Sequence, residues 1–178
     1  MRALVLYAST HGHTAKIASR VAEAVGQARV DVEIRDARHD TVPEPSDYDG
    51  IVIAGSLHGG HHQREIVDWA KHHRDELESR PSIFLSVSLT AAEDTDEARE
   101  ATEKCIDDFR DETGWKPARA IPVAGALQYR EYDVATRTLI RLLMRKGGHP
   151  TDTSHDHDFT DWNAVDRIGA DFAAVLKS

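Results

Sequence analysis

Short apolar segments alternate with longer amphipathic ones along this chain, and the alternation restricts the folds that it can adopt. Residues 3–8, 51–55 and 83–89 are largely apolar runs of strand length, 30–34 alternates like a strand, and 119–126 is a fifth such segment. Helical apolar spacing covers residues 13–26, 64–77, 93–112 and 162–176. Strands joined by helices in this way form a parallel sheet with right-handed crossovers, so the sequence predicts a three-layer α/β fold.

The size and composition of the chain are typical of one soluble globular domain spanning residues 1–178. Hydrophobic residues make up 40% and charged residues 30%, and no repeat or linker divides the sequence. The formal net charge of −9 argues against nucleic-acid binding, which requires a basic surface. A single cysteine, Cys105, excludes an internal disulfide framework. Because no apolar stretch has membrane-spanning length and no signal peptide is recognisable, we expect a cytoplasmic location.

A short polar loop, residues 9–14, follows the first predicted strand and leads into the first predicted helix. Its sequence, Ser-Thr-His-Gly-His-Thr, offers hydroxyl groups, and Gly12 lets the backbone approach a ligand closely. Ligands of parallel α/β sheets bind at the carboxyl ends of the strands, where a helix N-terminus attracts anions. The loop has neither the lysine of a triphosphate-binding loop nor the glycine spacing of a dinucleotide fold. It predicts a cradle for one phosphate monoester, with a helix-capping turn as the alternative.

Ser9, Gly12 and Thr14 match the phosphate-loop pattern Ser/Thr-x-Thr-Gly-x-Thr of the flavodoxin-like family, which the chain resembles; His11 replaces the usual threonine. The resemblance implies a flavodoxin-like sandwich with a five-stranded parallel sheet of order 2-1-3-4-5. It also implies FMN as the cofactor, contacted by this loop and by loops after the third and fourth strands. The residues implied to bind FMN are Ser9, Thr10, His11, Gly12, His13, Thr14, Ser56, Leu57, His58, Gly59, Gly60, His61, Ser86, Val87, Ser88, Leu89 and Thr90.

A narrower resemblance covers nearly the whole chain. The chain is similar to flavodoxin-type, menaquinone-dependent protoporphyrinogen IX oxidases, although Gly59 stands where a large side chain is expected. The residues that carry this resemblance are Tyr48, Asp49, Ala54, Gly55, Ser56, Gly60, His61, Pro81, Ser82, Phe84, Ser86, Val87, Trp115, Pro117, Ala124, Gly125, Ala126, Leu127, Tyr129, Thr160, Asp161 and Trp162. It implies an FMN-dependent enzyme of haem biosynthesis that oxidises protoporphyrinogen IX to protoporphyrin IX and passes electrons to a quinone. No catalytic base is identified.

The two later flavin loops lack the tryptophan or tyrosine with which electron-carrying flavodoxins usually cover the flavin ring. An open flavin face favours an enzyme that admits a substrate. Three alternatives stay open: an electron-transfer flavodoxin, a quinone reductase that uses NAD(P)H, and an interaction domain without flavin.

The segment 127–158 reads as a long insertion after the fifth strand, irregular except for one helical patch. Residues 130–146 contain five basic and two acidic residues, a local charge of +3, and Arg137, Arg141 and Arg145 share one helical face. We expect Tyr129 and these arginines to contact substrate propionates or, at the inner face of the cell membrane, anionic lipid headgroups. The alternative is a helix packed on the domain or on a second copy in a homo-oligomer.

Histidines cluster at residues 58–62 and 149–157, which raises the question of a metal site. His155 and His157 have the spacing of a ligand pair, but no cysteine accompanies them and the aspartates around them read as a solvated loop. We predict no metal site. His58 and His61 are better candidates for the flavin pocket, with loop capping as the alternative role.

Overall fold

The computed structural model describes residues 1–127 and 157–178, which form a twisted parallel sheet with helices on both faces. The strands are β1 (Arg2–Ala8), β2 (Asp31–Asp36), β3 (Gly50–His58), β4 (His61–His62), β5 (Ser82–Ser88) and β6 (Arg119–Ala124). The five parallel strands run in the order β2-β1-β3-β5-β6, and β4 pairs antiparallel with the end of β3. The predicted fold class and the order 2-1-3-4-5 are therefore confirmed, with β4 as an additional strand.

Helices cover the sheet in two layers, which explains why the central strands are apolar throughout. The helices are α1 (His13–Gln27), α2 (Arg64–His72), α3 (Arg74–Glu78), α4 (Asp96–Thr113) and α5 (Trp162–Leu176). Val5 of β1 faces the core formed with α1 and α5, whereas its neighbours Leu4 and Leu6 face the core formed with α2, α3 and α4. The side chains of residues 3–6 of β1 are all buried, on one face or the other, so no polar alternation is needed.

The layer of α1 and α5 is tightly packed. Gly169 of α5 lies against α1, where an added Cβ would stand 2.6 Å from Ala24 Cβ and 2.9 Å from the Val21 carbonyl oxygen. On the surface of the same contact, Arg20 forms two hydrogen bonds, of 2.6 and 2.7 Å, with the carboxylate of Asp166. The closing helix is thus fixed against the helix that begins at the predicted phosphate loop.

The helix predicted over 64–77 is wrong in its continuity. It breaks at His73 into α2 and α3. The ring of His73 is buried, with Nδ1 3.7 Å from a carboxylate oxygen of Glu44 and 3.7 Å from one of Glu76. Tertiary contacts therefore override the helical spacing here. The helix predicted from residue 93 begins instead at Asp96, because Thr95 caps it by accepting a hydrogen bond from the Ala98 amide.

The fifth predicted strand, 119–126, is shorter than expected. β6 ends at Ala124, and the Gly125 amide then donates to the Ser88 carbonyl at 2.9 Å. Beyond Gly125, β7 (Ala126–Leu127) pairs antiparallel with β8 (His157–Asp158), so the two ends of the predicted insertion are not irregular but form a short ladder. Pro122 lies on the edge strand β6, as the missing N–H of proline requires.

Among residues 1–127 and 157–178, no helix combines the length and the apolar character that crossing a bilayer requires.

Candidate functional site

A cleft lies at the carboxyl ends of β1, β3 and β5, the edge of the sheet at which parallel α/β proteins bind ligands. Within the part of the chain that the structure describes, the cleft has a cavity volume of about 100 Å³. The residues that line it are Ser9, His11, His13, Thr14, Ser56, Leu57, His58, Val87, Ser88, Leu89, Gly125 and Ala126. In the part of the chain that the structure describes, this lining includes no tryptophan, tyrosine or phenylalanine.

The loop 9–14 presents the start of α1 to the cleft. Gly12 precedes the helix in the left-handed conformation, with φ of +80°, and no side chain caps the helix. The amide groups of the first turn are therefore open to a ligand, and they carry the positive end of the helix dipole. Ser9 and Thr14 are buried, and both line the cleft. The loop has the donors and the polarity that a phosphate group requires.

His13, the first residue of α1, connects this loop to the segment that precedes α5. Its Nε2 lies 2.7 Å from Thr160 Oγ1, and that hydroxyl donates to the Ala124 carbonyl at 2.8 Å. Because the hydroxyl has one proton, it accepts from His13, which is therefore protonated on Nε2. Burial lowers the pKa of His13, with Asp158 at 3.6 Å acting in the opposite direction. His13 is thus a neutral donor that joins the loop to the end of β6.

Asp158 and Trp162 complete this connection. Asp158 accepts hydrogen bonds from the Thr160 amide at 2.9 Å and from Trp162 Nε1 at 3.1 Å. The Trp162 ring meets the His13 ring edge to face, with centroids 5.9 Å apart. Asp161 caps the start of α5 by accepting a hydrogen bond from the Ala164 amide. The base of the predicted insertion is therefore tied to the floor of the cleft.

The second predicted flavin loop, 56–62, is a β-hairpin rather than a loop. Leu57 pairs with His62 and His58 with His61, so Gly59 and Gly60 form the two-residue turn between β3 and β4. Both glycines have positive φ, +58° and +87°, as a type I′ turn requires. This geometry accounts for Gly59, where the resemblance predicted a large side chain, because a residue with a Cβ would be strained there.

His62 lies under the hairpin and explains the position of Ser86. Its Nε2 is 2.9 Å from Ser86 Oγ, and its ring packs edge to face on Phe84 and Phe109. Burial, assisted by the nearby His61, lowers the pKa of His62 to about 4, so the ring is neutral at physiological pH. Ser86 therefore takes part in a hydrogen bond within the core beneath the hairpin and does not line the cleft.

The structure brings together most, but not all, of the predicted FMN-binding residues. Those that line the cleft are Ser9, His11, His13, Thr14, Ser56, Leu57, His58, Val87, Ser88 and Leu89. Those that lie outside its lining are Thr10, Gly12, Gly59, Gly60, His61, Ser86 and Thr90. Tyr129, Arg137, Arg141 and Arg145 lie outside the described residues, as does most of the insertion 127–158.

Sequence reasoning missed two lining residues and one supporting residue. Gly125 and Ala126 enter the lining because the chain turns across the top of β5 after β6. Both belong to a segment that carried the family resemblance, which was the available signal. Arg38, which donates from Nη1 to the Ser9 carbonyl at 2.9 Å, had no signal, because the contact joins two loops that are far apart in sequence.

No group of three or more histidine, cysteine, aspartate or glutamate side chains in residues 1–127 and 157–178 is arranged to hold a metal ion. His155 of the proposed ligand pair lies outside these residues.

The sheet order and the position of the cleft define an α/β protein of the flavodoxin type. The chain belongs to the flavodoxin-domain family, because the family model described as Flavodoxin domain matches residues 4–154. It is similar to protoporphyrinogen IX dehydrogenase (quinone) of Leishmania major, with 32% identity over 98% of this chain and 75% of that protein. The protein of the same name from Escherichia coli K12 is 30% identical over 97% of this chain and 95% of its own length. The resemblance drawn from the motifs is thereby confirmed.

Among solved structures, a mutant flavodoxin from Pseudomonas aeruginosa aligns over the full length of both chains, with a TM-score of 0.59 and 14% identity. At this identity the likeness concerns the fold.

Proposed function

We propose that the chain is an FMN-dependent oxidoreductase that oxidises protoporphyrinogen IX and delivers the electrons to a quinone. The observation that carries the proposal is the cleft itself, in which an uncapped helix start, two hydroxyl side chains and the ends of three strands meet. The curated relatives support the substrate and the acceptor, because their names specify both and they align over almost all of this chain.

The described residues fit FMN. Ser9, Thr14 and the first-turn amides of α1 would hold the phosphate, since they supply neutral and dipolar donors at one point. Ser56, Leu57 and Val87 would contact the rest of the cofactor from the strand ends. When bound, FMN supplies a two-electron acceptor for hydride removal. The chain itself supplies position, donors and access.

Access to the cofactor distinguishes this cleft from that of an electron carrier. The described lining includes no tryptophan or tyrosine that could stack on a flavin, which supports an enzyme that admits a substrate. Tyr129, Arg137, Arg141 and Arg145 are proposed to meet the propionates of such a substrate or an anionic membrane surface. Both roles are proposals that rest on the sequence. The same holds for menaquinone as the acceptor and for the cytoplasmic location.

Anaerobic mixing of the FMN-loaded protein with protoporphyrinogen IX tests the proposal. We expect loss of flavin absorbance and the appearance of porphyrin fluorescence, followed by recovery of absorbance when a quinone is added. Reduction by NADPH but not by protoporphyrinogen would instead identify a nicotinamide-dependent quinone reductase. A protein that binds no FMN would refute both assignments.

A further inference from the structure

The side chain of Gln63 reaches Ser56, a residue of the cleft, from the segment that follows β4. Leu57 pairs with His62, so continuing this antiparallel register places Gln63 opposite Ser56. Gln63 Nε2 donates a hydrogen bond to Ser56 Oγ. Ser56 lines the cleft and Gln63 does not, so this hydrogen bond joins a residue outside the lining to a residue within it.

Helix capping does not explain the position of the Gln63 side chain. Gln63 occupies the N-cap position of α2, but its side chain accepts from no backbone amide, and glutamine is not among the residues preferred there. The amide group turns back to Ser56, and its other end, Oε1, is buried with no hydrogen-bond partner in the described part of the chain. A buried polar atom without a partner lowers stability, so this placement requires an explanation other than the stability of the fold.

The hydrogen bond from Gln63 leaves the hydroxyl proton of Ser56 available. A serine hydroxyl has one proton, and here its oxygen accepts from Gln63. Within residues 1–127 and 157–178, that hydroxyl makes no second hydrogen bond, and Ser56 is half-buried at the wall of the cleft. Accepting one hydrogen bond polarises the hydroxyl, which makes it a stronger donor. Ser56 therefore presents a donor to a ligand in the cleft.

The surroundings of Ser56 differ from those of the loop 9–14. Ser56 of β3 pairs in register with Val87 of β5, and Leu57 is the next residue of β3; both of these apolar residues line the cleft. A flat ring with a few acceptor atoms suits such a wall. A phosphate group suits instead the open amides at the start of α1.

We propose that Gln63 is a positioning residue that holds Ser56 as a hydrogen-bond donor to a carbonyl oxygen or a ring nitrogen of the flavin. This inference rests on the proposed function, because it requires the cleft to bind FMN. Gln63 acts through Ser56 and does not itself contact the flavin ring. The unpaired Oε1 is then a loss of stability that is retained because the amide supports ligand binding.

Titration of the flavin-free full chain, followed by quenching of flavin fluorescence, measures the effect on affinity. Lumiflavin, riboflavin and FMN share the ring and differ in the side chain and the phosphate. Gln63→Met keeps the length of the side chain but has no donor, so it should weaken the binding of all three flavins by the same factor, about three- to tenfold. A loss confined to FMN would contradict the proposal, because the contact would then concern the phosphate.

Urea denaturation of the flavin-free chain separates this role from a structural one. Gln63→Met removes the unpaired Oε1, and water in the cleft can hydrate Ser56 Oγ, so the variant should unfold at the same urea concentration as the wild type or at a higher one. A variant that unfolds at a lower concentration and binds the flavins like the wild type would identify Gln63 as a structural residue and overturn the proposal.

Two further variants test whether Gln63 acts through the hydroxyl. Ser56→Ala should weaken riboflavin binding at least as much as Gln63→Met, and combining the two should add nothing to the effect of Ser56→Ala. Gln63→Glu keeps the shape, but at about pH 8 its carboxylate cannot donate. Ser56 would then turn its proton to that carboxylate, and riboflavin binding should weaken about three- to tenfold.

Additive effects of Ser56→Ala and Gln63→Met, or a Gln63→Glu variant that binds riboflavin like the wild type, would overturn the proposal. If Gln63→Met fails to fold, Gln63→Glu and Ser56→Ala still decide the question.

Arg64→Met is the matched control, because Arg64 is the next residue, is exposed on α2 and does not line the cleft. It should bind riboflavin like the wild type. A wild-type protein that binds flavins with an affinity independent of Gln63 overturns this inference and leaves the proposed function intact. A wild-type protein that binds no flavin overturns both.

Discussion

Replacing Thr160 by valine removes a hydroxyl that, in the described part of the chain, joins the predicted phosphate loop to the end of β6. Valine has nearly the same shape, so the change isolates the hydrogen bonds. His13 Nε2–H would lose its acceptor in a buried position, since the next oxygen, on Asp158, is 3.6 Å away, beyond hydrogen-bonding distance. The Ala124 carbonyl would lose a donor as well.

The expected magnitude follows from these losses. A buried donor left without a partner costs about 1–3 kcal/mol, and we expect about 2 kcal/mol because Thr160 is only partly buried. For a chain of this size, each kcal/mol lowers the melting temperature by about 2–4 °C, so the variant should melt about 4–8 °C below the wild type. Urea denaturation followed by circular dichroism measures the free energy of unfolding directly.

Thr160→Ser is the matched control, because serine keeps the hydroxyl and loses only a partly exposed methyl group. It should remain within about 0.5 kcal/mol of the wild type. In a double-mutant cycle, His13→Ala and Thr160→Val should show a coupling energy of about 0.5–3 kcal/mol. Equal stabilities for the valine and serine variants, or additive effects in the cycle, would refute the bond between loop and closing segment.

Four further substitutions test other parts of the structure. Gly12→Ala should lower the free energy of unfolding by about 1 kcal/mol through strain at positive φ alone, since nothing lies within 4 Å of its added Cβ. Gly26→Ala, inside α1 with equal space, should raise the free energy of unfolding by up to about 1 kcal/mol. Urea denaturation that shows the same sign for both variants would contradict this reasoning. Gly169→Ala should lower the free energy of unfolding by about 1–3 kcal/mol despite the better helix propensity of alanine, because its Cβ would meet the backbone of α1 at Val21. A melting temperature at or above that of the wild type would show that the helices separate freely. Burial lowers the pKa of His62 to about 4, so between about pH 6.5 and about pH 4 the unfolded chain binds a proton that the folded chain does not. The free energy of unfolding of the wild type should therefore fall by about 3 kcal/mol over this range, and His62→Gln should lack that part of the fall. Parallel pH profiles for the two proteins would place the titrating group elsewhere.

The parallel sheet was predictable from sequence because burial on both faces leaves a direct trace, whereas the order of its strands came from the family resemblance. Leu4, Val5 and Leu6 are all buried, in different layers, and such a run cannot be an alternating surface strand. The break at His73 was not predictable, because the buried ring there lies beside Glu44 on a loop distant in sequence. The spacing of apolar residues indicates a helix, but it carries no information about contacts with other parts of the chain.

The candidate site was predictable where it depends on strand ends and not where it depends on side-chain direction. Ser9 and Thr14 follow a buried strand and reach the cleft as expected. Ser86, in an equally suitable position, bonds to His62 instead, and only the pleat of β5 decides between the two directions. The Gly59-Gly60 pair, flanked by strand residues, is a hairpin signal, although the family resemblance implies a loop at this position.

The contact between α1 and α5 has a consequence for synthesis on the ribosome. Strand β1 can pair with β2 and β3 early, but the apolar face of α1 has its main helical partner in α5, which follows nearly the whole sheet in the sequence. Until α5 emerges, the side of α1 at Val21 and Ala24, on which Gly169 packs, stays uncovered on a nascent chain whose sheet is otherwise assembled. Exposed apolar surface of this kind is prone to association, so the nascent chain should be retained by holding chaperones until residues 162–176 leave the exit tunnel.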